Sequence, residues 1–307
     1  MSVKVISIEA FGSPEELRVT TVESFRAGAG QVLIAVEACG VGLVDVFFRK
    51  GLFPGLSPIG FVPGVEVSGT VIDGAAEWIG KRVFAKVDKG GYAEQLIADI
   101  TNIAEIPDAL SSEAAVALGI NALVAHFSLL QGHCGKEEQV LVRGAGGGIG
   151  SMTAQLARVK DAQVTASTTS PEKRSMLSAL GVRQFDNGYQ EYDVIIDSVA
   201  GNEVTSFINR LKPNGRYVLS GVAGGFPLPD FAMPLVTSFQ KSLAISFLSL
   251  NSIADRQLTT AMTEIFTLAV QGKITSVIDK VYPLSEAASA HKRLESGKVF
   301  GKIVLKV

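Results

Sequence analysis

A run of small residues at 144–150 is the part of the sequence that most directly implies chemistry. It reads Gly144-Ala145-Gly146-Gly147-Gly148-Ile149-Gly150 and lies between a short apolar segment and a segment with helical spacing. Small residues permit a tight turn, let backbone N–H groups approach an anion, and let a helix pack closely on a strand. The N-terminus of the helix adds partial positive charge. In the register Ala145-x-Gly147-x-x-Gly150, the run predicts a cradle for the diphosphate of a dinucleotide.

The segment that follows the next predicted strand indicates which dinucleotide. Domains that bind NAD usually place Asp or Glu there, where the carboxylate accepts from the ribose 2′-OH. Here the strand Gln163–Ala166 is followed by hydroxyl residues and then by two cations. Hydroxyls and cations bind a 2′-phosphate, which a carboxylate would repel, so we predict NADPH. The alternative is that the two cations are a solvated helix face. The predicted contacts beyond the glycine run are Ser167, Thr168, Lys173, Arg174, Tyr189 and Gly221.

Strands and helices alternate around the glycine run. The predicted strands of this region are Gln139–Arg143, Gln163–Ala166, Val194–Asp197 and Arg216–Ser220. The predicted helices are Ile149–Lys160, a segment that opens at Ser170-Pro171 and stops at Gly181, and Glu203–Leu211. This alternation is typical of a doubly wound parallel sheet, a Rossmann domain, which we place at residues 113–251.

The rest of the chain predicts a second, β-rich domain. Strand-like runs at Gln31–Ala38, Val65–Ile72 and Arg82–Val87 are separated by Gly and Pro. Two late helices, Ala254–Gln271 and Ser285–Ser296, precede a terminal strand at Lys302–Val307. We therefore predict an α/β protein in which residues 1–112 and 252–307 form a substrate domain.

Composition limits the classes of partner and compartment. The 307 residues include 28 basic and 30 acidic ones and show no basic stripe, so nucleic acid is not expected. Only Cys39 and Cys134 are present, which excludes a disulfide framework and favours a reducing cytoplasm. The stretch Ala114–Leu130 has no Asp, Glu, Lys or Arg, but it contains Asn121 and His126. We predict that this stretch is a buried helix and not a membrane span.

Several ordered motifs resemble the medium-chain dehydrogenase/reductase superfamily, in its zinc-free quinone oxidoreductase, or zeta-crystallin-like, branch. They are Cys39–Asp45 with Arg49 and Gly51, Pro63–Gly69, Gly91–Glu94, the glycine run, Asp197–Gly201 and Gly297–Lys302. The resemblance covers essentially the whole chain and implies a GroES-like substrate domain. It also implies NADPH-dependent reduction of quinones or other small conjugated carbonyl compounds, and a homodimer paired through an edge strand at Leu243–Phe247.

Two positions bear on whether the chain binds zinc. Zinc-dependent relatives carry a ligand Cys three residues after the first Cys of the early motif and a ligand His directly after Pro-Gly. Here those positions hold Gly42 and Val65, which cannot bind a metal. The remaining candidates lack ligand spacing; they are His126, His133, His291, Cys39 and Cys134. We therefore expect no metal, and catalysis chiefly by orientation of the acceptor.

The resemblance implies a substrate pocket, but this chain departs from the family pattern there. The candidates are Gly42, Asp45, Phe47, Asn121, Phe247 and Ser249. Gly42 replaces a common Asn, Phe47 a frequent Tyr and Asn121 a usual Thr, while Phe247-Leu248 replaces an Arg-Pro pair. The predicted pocket is therefore apolar, and no residue is assigned as the proton donor. Asp45 is expected to orient a loop.

Two further functions remain open on the sequence alone. The same scaffold can reduce the carbon–carbon double bond of enals, enones or enoyl thioesters. A cofactor-binding protein with a structural or regulatory role is the third possibility, although an intact nucleotide loop usually accompanies redox chemistry.

Overall fold

A computed structural model describes residues 2–53, 55, 57–168, 170–186, 188 and 190–307. The chain divides into two compact units. The first, unit 1, comprises Met1–Ile120 and Ala254–Val307, and the second, unit 2, is the continuous segment Asn121–Ile253. The boundaries predicted at residues 112 and 252 lie before the ones in the structure. The first of them differs because the helix that opens at Ser112 begins in unit 1 and ends in unit 2.

Strands predominate in the first hundred residues, and helices alternate with strands beyond them. The described strands are β1 (Ser2–Ile8), β2 (Leu17–Glu23), β3 (Gln31–Val41), β4 (Glu66–Gly74), β5 (Arg82–Lys86), β6 (Gln95–Asp99), β7 (Ile103–Glu105), β8 (Gln139–Arg143), β9 (Gln163–Ser167), β10 (Arg183–Gln184), β11 (Tyr192–Asp197), β12 (Leu211–Leu219), β13 (Ala244–Phe247), β14 (Ile278–Pro283) and β15 (Lys302–Lys306). The described helices are α1 (Leu43–Arg49), α2 (Ser112–Gln131), α3 (Gly148–Val159), α4 (Pro171–Ala179), α5 (Val204–Ile208), α6 (Met233–Thr237), α7 (Asp255–Val270) and α8 (Ala287–Glu295).

Unit 2 is built on a parallel sheet with the strand order β10-β9-β8-β11-β12-β13. Every neighbouring pair is parallel. Counted within the unit, this is the order 3-2-1-4-5-6 of a Rossmann domain, with its change of direction between β8 and β11. Consecutive residues of the central strands, such as Val140, Leu141 and Val142, are fully buried, so both faces of the sheet are covered. The α/β class is confirmed.

Unit 1 is mainly antiparallel. Its larger sheet has the order β14-β15-β3-β4-β5-β7, with β6 also paired to β3, and β1 and β2 form a separate antiparallel pair. Within the larger sheet, β14 and β15 are parallel, and β15 runs antiparallel to β3. A cluster of buried side chains that includes Val32, Ile34, Val67 and Ile303 forms its core. The late strand β15 therefore completes a sheet that the first hundred residues begin.

Helix α2 is broken in its first half. Ser111 caps its start, since Oγ accepts from Ala114 N at 3.1 Å, but Gly119 leaves the helical conformation (φ 17°, ψ −130°). The carboxylate of Glu66 occupies the break, where Oε2 accepts from Ile120 N at 2.7 Å. Among the described helices, α2 alone is long and apolar enough to cross a membrane by length and composition, and 61% of its most apolar window is buried in the fold. The burial matches the prediction, whereas the break was not foreseen.

Most predicted elements differ from the observed ones by a few residues in their bounds, and two of these differences concern the sheet of unit 2. The helix predicted over Glu203–Leu211 is only Val204–Ile208, because Leu211 instead opens β12 and pairs with Tyr192. The strand predicted from Leu243 begins at Ala244, and it pairs only with β12 in the described sheet, so it is an edge strand.

Candidate functional site

The glycine run forms a tight turn at the carboxyl end of β8. Gly144 has φ +71°, and its carbonyl accepts from Gly147 N at 2.8 Å. A Cβ on Gly150 would lie 2.2 Å from the Gly144 carbonyl oxygen, so only glycine permits this approach of α3 to β8. Gly147 precedes the first residue of α3, where the N–H groups of the helix have no intrahelical partner. This geometry fits the predicted cradle for a diphosphate.

The predicted 2′-phosphate contacts lie beside the glycine run. Ala145 N donates to Ser167 O at 3.1 Å, which ties the run to the end of β9. Ser170 caps α4, accepting from Lys173 N at 3.3 Å. A Cβ on Gly146 would lie 2.5 Å from Lys173 Cδ, so the stem of Lys173 lies directly across Gly146. The side chain of Lys173 therefore passes beside the predicted cradle.

The remaining predicted cofactor contacts, Arg174, Thr168, Gly221 and Tyr189, do not all lie in one loop. Arg174 Nε donates to Thr168 O at 3.4 Å, which brings both next to the end of β9. Gly221 follows β12, and a Cβ there would lie 2.8 Å from Ser198 O, so two loops at the carboxyl edge of the sheet meet closely. Tyr189 lies outside the described residues.

A buried network that the sequence analysis missed supports these loops. Asp197, the last residue of β11, accepts from Arg143 Nη1 at 2.6 Å and from the Tyr217 hydroxyl at 2.5 Å. Its other oxygen accepts from the backbone N–H groups of Val199 and Ala200. Burial, and then the charge of Asp197, raise the pKa of Tyr217 well above its ordinary value. The signal in the sequence was a charged residue at the end of each of two apolar strands.

In unit 1 the structure brings Gly42 and Asp45 together. Asp45 is fully buried; Oδ2 accepts from Gly42 N at 2.8 Å and Oδ1 from Gly64 N at 2.9 Å. Burial raises the pKa of Asp45 to about 6, against the opposing effect of those two hydrogen bonds. Phe47 follows in the same helix, α1, and is half-buried. Asp45 thus connects the loop before α1 to the loop before β4.

Two charged residues near Gly42 were not assigned by the sequence analysis. Glu66 opens β4 and Lys302 opens β15, and their side chains form a buried ion pair. Each is a charge followed directly by three uncharged residues at the start of a strand, which is the local pattern that could have identified them. Asp45, Glu66 and Lys302 together form a cluster of buried charged side chains in unit 1.

The substrate-pocket candidates that belong to unit 2 are Asn121, Phe247 and Ser249, and each has different neighbours. The Asn121 amide lies against Gly148, where a Cβ would be 2.3 Å from Nδ2, so the structure groups Asn121 with the glycine run. Phe247 ends β13 with 60% of its surface exposed and packs edge-on against Phe231, with ring centroids 6.1 Å apart. Ser249 Oγ accepts from Asn251 N at 3.3 Å and so caps a short turn.

The described residues contain no group of three or more His, Cys, Asp or Glu side chains that could hold a metal ion. Cys39 donates from Sγ to Gly91 O at 2.7 Å, and burial raises the pKa of its thiol. His291 is buried, and its Nε2 lies 3.1 Å from the Tyr92 hydroxyl. Gly42 and Val65, the two positions that bear on zinc binding, carry no side-chain donor for a metal.

Comparison with known proteins places this geometry in a family. Residues 28–108 match the alcohol dehydrogenase GroES-like domain, and residues 179–305 match a family described as zinc-binding dehydrogenase. The quinone oxidoreductase of Rattus norvegicus is 30% identical over 98% of this chain and 97% of its own length.

Solved structures share the fold over nearly the whole chain. A mycobacterial protein complexed with NADPH has a TM-score of 0.90 and 26% identity, covering 99% of this chain and 100% of its own. CurK enoyl reductase has a TM-score of 0.87 and 22% identity, covering 99% of each chain, and it shows likeness of fold alone. The chain belongs to the medium-chain dehydrogenase/reductase superfamily of oxidoreductases, in its quinone oxidoreductase-like branch.

Proposed function

We propose that the chain is a zinc-independent reductase that uses NADPH to reduce quinones or other small conjugated carbonyl compounds. The observation that carries the proposal is the Lys173 stem lying across Gly146, which holds a cation beside the predicted diphosphate cradle. Residues 145–150 would hold the diphosphate. Ser167, Thr168, Lys173 and Arg174 would hold the 2′-phosphate. NADPH, when bound, supplies the hydride, and this chain binds and orients the acceptor.

The choice of NADPH over NADH depends on charge at the end of β9. The positions at the end of β9, where NAD-binding domains usually have Asp or Glu, hold Ser167 and Thr168 in this chain. The N-terminus of α4 adds its partial positive charge to that of Lys173. Glu172 is the nearest acid in the sequence, and its Oε2 accepts from Ser170 Oγ at 3.4 Å. Support for the cofactor also comes from the solved mycobacterial relative, which is complexed with NADPH.

We also propose that the protein works in the cytoplasm and forms a homodimer. Both cysteines are free and buried, which fits a reducing cytoplasm. The edge strand β13 leaves one row of backbone groups unpaired by any described strand, which is the kind of edge through which two copies can pair as a homodimer.

Reduction of a carbon–carbon double bond is the second candidate. The shared fold of CurK enoyl reductase indicates that the architecture is compatible with hydride transfer to an alkene. Because a fold hosts many reactions, turnover has to decide between the two.

A substrate panel tests the proposal directly. Oxidation of NADPH and of NADH is followed by absorbance with quinones, 2-alkenals and crotonyl thioester. We expect turnover of quinones with NADPH. Turnover restricted to alkenals or the thioester would favour the second candidate. Tight NADPH binding without any turnover would favour a structural or regulatory role.

The cofactor assignment predicts the effect of Lys173→Glu. Losing one charge-assisted contact and adding a repulsive charge should weaken NADPH about 10- to 100-fold, and NADH much less. Dissociation constants for both nucleotides are measured by calorimetry. Lys136→Glu is the matched control, since Lys136 is exposed and precedes β8, at the opposite edge of the sheet from the glycine run. Equal losses for both nucleotides in Lys173→Glu would show that Lys173 does not contact the phosphate.

A further inference from the structure

Gly42 leaves a side-chain position empty beside two charged groups. A Cβ built there lies 3.7 Å from Asp45 Oδ2, 3.9 Å from Lys302 Nζ and 3.9 Å from Val44 Cγ1. These are ordinary van der Waals distances, and the Gly42 backbone is extended (φ −130°, ψ 169°), which any residue adopts. The position is therefore vacant because of the residue type and not because the fold demands glycine.

The ammonium that borders this position is firmly held. Lys302 Nζ forms an ion pair with Glu66 Oε1, and the two side chains are 6% and 1% exposed. The other oxygen of Glu66 accepts from Ile120 N at 2.7 Å, which fixes the carboxylate. An ammonium has three N–H donors, and within the described residues Glu66 is the hydrogen-bond acceptor recorded for Lys302 Nζ. Lys302 thus has donor capacity beyond its ion pair.

The proposed reaction needs a donor of this kind. When a hydride supplied by NADPH, which would be oxidised to NADP⁺, adds to the β-carbon of a conjugated carbonyl compound, a C–H bond forms there. The C=C electron pair shifts, so that negative charge ends on the carbonyl oxygen. That oxygen then takes one proton from solvent, and a reduced quinone tautomerises to the hydroquinone. Asp45 as a carboxylate has no hydrogen-bond donor to offer that oxygen, and both of its own oxygens are held by backbone N–H groups. Phe47 has no polar group.

We propose that Lys302 Nζ donates a hydrogen bond to the carbonyl oxygen of the acceptor, which enters the position left open by Gly42, and stabilises the oxyanion as it forms. The inference rests on the proposed function. A preorganised donor in a largely desolvated site stabilises developing charge far more than one in water. Loss of a single such donor typically lowers kcat by about 10²- to 10³-fold.

A stable oxyanion tests the proposal without turnover. 4-Nitrophenol changes colour when it ionises, so its apparent pKa in the bound state can be read by absorbance in the absence of any nucleotide. We expect binding to wild-type protein to lower that pKa by about one unit, which corresponds to a tenfold preference for the phenolate. Lys302→Met should abolish the shift, and Lys302→Arg, which keeps the charge, should retain most of it.

Removing Lys302 alone leaves Glu66 buried without its cation, which can unfold the protein. The double variant Lys302→Met/Glu66→Gln removes both charges and keeps an oxygen that can accept from Ile120 N. We expect it to fold, shown by its far-UV circular dichroism, and to show no shift of the 4-nitrophenol pKa. An undiminished shift in this folded double variant would overturn the proposal.

Filling the vacant position is the complementary test. Gly42→Leu should weaken 4-nitrophenolate binding at least about tenfold, because its side chain extends into the space beside Lys302 Nζ. Gly42→Ala, whose Cβ fits at ordinary distances, is the matched control and should cause a smaller loss. Equal affinity of wild type and Gly42→Leu, or no binding of 4-nitrophenol to the wild type, would contradict the inference. If NADPH is not oxidised with any acceptor while these titrations succeed, the proposed function fails and the oxyanion site remains.

Discussion

Single residues in unit 1 have their ionisation set by burial. His291 is fully buried in α8, with Tyr92 at one ring nitrogen, and burial, followed by the charge of Arg49, lowers its pKa from 6.5 to about 3. Such a histidine stays neutral in the folded protein at pH values where the unfolded chain is protonated. It therefore makes folding stability depend on pH.

The sign of this dependence gives a prediction. The folded-state pKa is depressed, so the stability associated with a neutral His291 is complete above about 6.5 and is lost as pH falls towards 3. His291→Gln removes this titration and keeps an amide that can bond Tyr92. Urea unfolding at pH 7 and pH 5 should show that wild type loses more stability than His291→Gln on acidification. An equal loss in the two proteins would mean that His291 titrates normally.

At this scale the sequence predicts local features and misses distant pairs. The glycine run was predictable because its residues are consecutive. Their small size alone indicates a tight turn and a close approach of the following helix to the strand. Lys302 and Glu66 are 236 residues apart in sequence, and Arg143 and Asp197 are 54 apart. No local pattern joins such residues, so the candidate donor and the support of the nucleotide loops emerge only from the fold.

Among the elements, α2 depends most on one backbone position. Its apolar sequence predicts a continuous helix, yet the chain turns at Gly119 to let the Glu66 carboxylate reach Ile120 N. A Cβ on Gly119 would lie 2.1 Å from Glu66 Oε2 and 2.8 Å from a ring carbon of Phe84. Periodicity could not reveal the break, because the group that occupies it comes from β4.

The break predicts an inverted response to a helix-favouring substitution. In an ordinary helix interior, replacing Gly by Ala stabilises by about 1 kcal/mol. Gly119→Ala should instead destabilise by about 2 kcal/mol, because the new methyl group collides with buried neighbours. The free energy of unfolding in urea measures the change. Gly135→Ala is the control, since its Cβ would meet only the Glu138 side chain, at 3.7 Å. A more stable Gly119→Ala protein would show that α2 is not broken there.

For the whole molecule, alternation in the sequence was enough to predict a doubly wound parallel sheet in unit 2, because parallel strands need crossover helices between them. The end of the predicted helix at Glu203–Leu211 was wrong, because pairing of Leu211 with Tyr192 overrides the local helical pattern. The proposed homodimer would pair through β13, which ends at the exposed Phe247.

The proposed homodimer predicts a defined effect of proline in β13. Leu248 N donates to Leu219 O, so alternation along the strand directs the Ile245 N–H away from β12. Ile245→Pro removes that outward donor and should convert a dimer to a monomer in sedimentation equilibrium. Ile245→Val, which keeps the donor, should remain dimeric. A monomeric wild type at micromolar concentration would refute pairing through this edge.

The interleaving of the two units has a consequence for how the protein is made. Unit 2 is one continuous segment and is complete before β14 and β15 leave the ribosome, whereas the pairing of β3 with β15 needs Ile303 to reach Val41. On that side of β3, β6 pairs only with Gln31–Ala35, so Ala38–Val41 must wait unpaired until β15 has been made, which is a hazard for nascent chains. Lys302 meets Glu66 in that same closing step, so the chain acquires its proposed catalytic ammonium only after all of unit 2 has been synthesised.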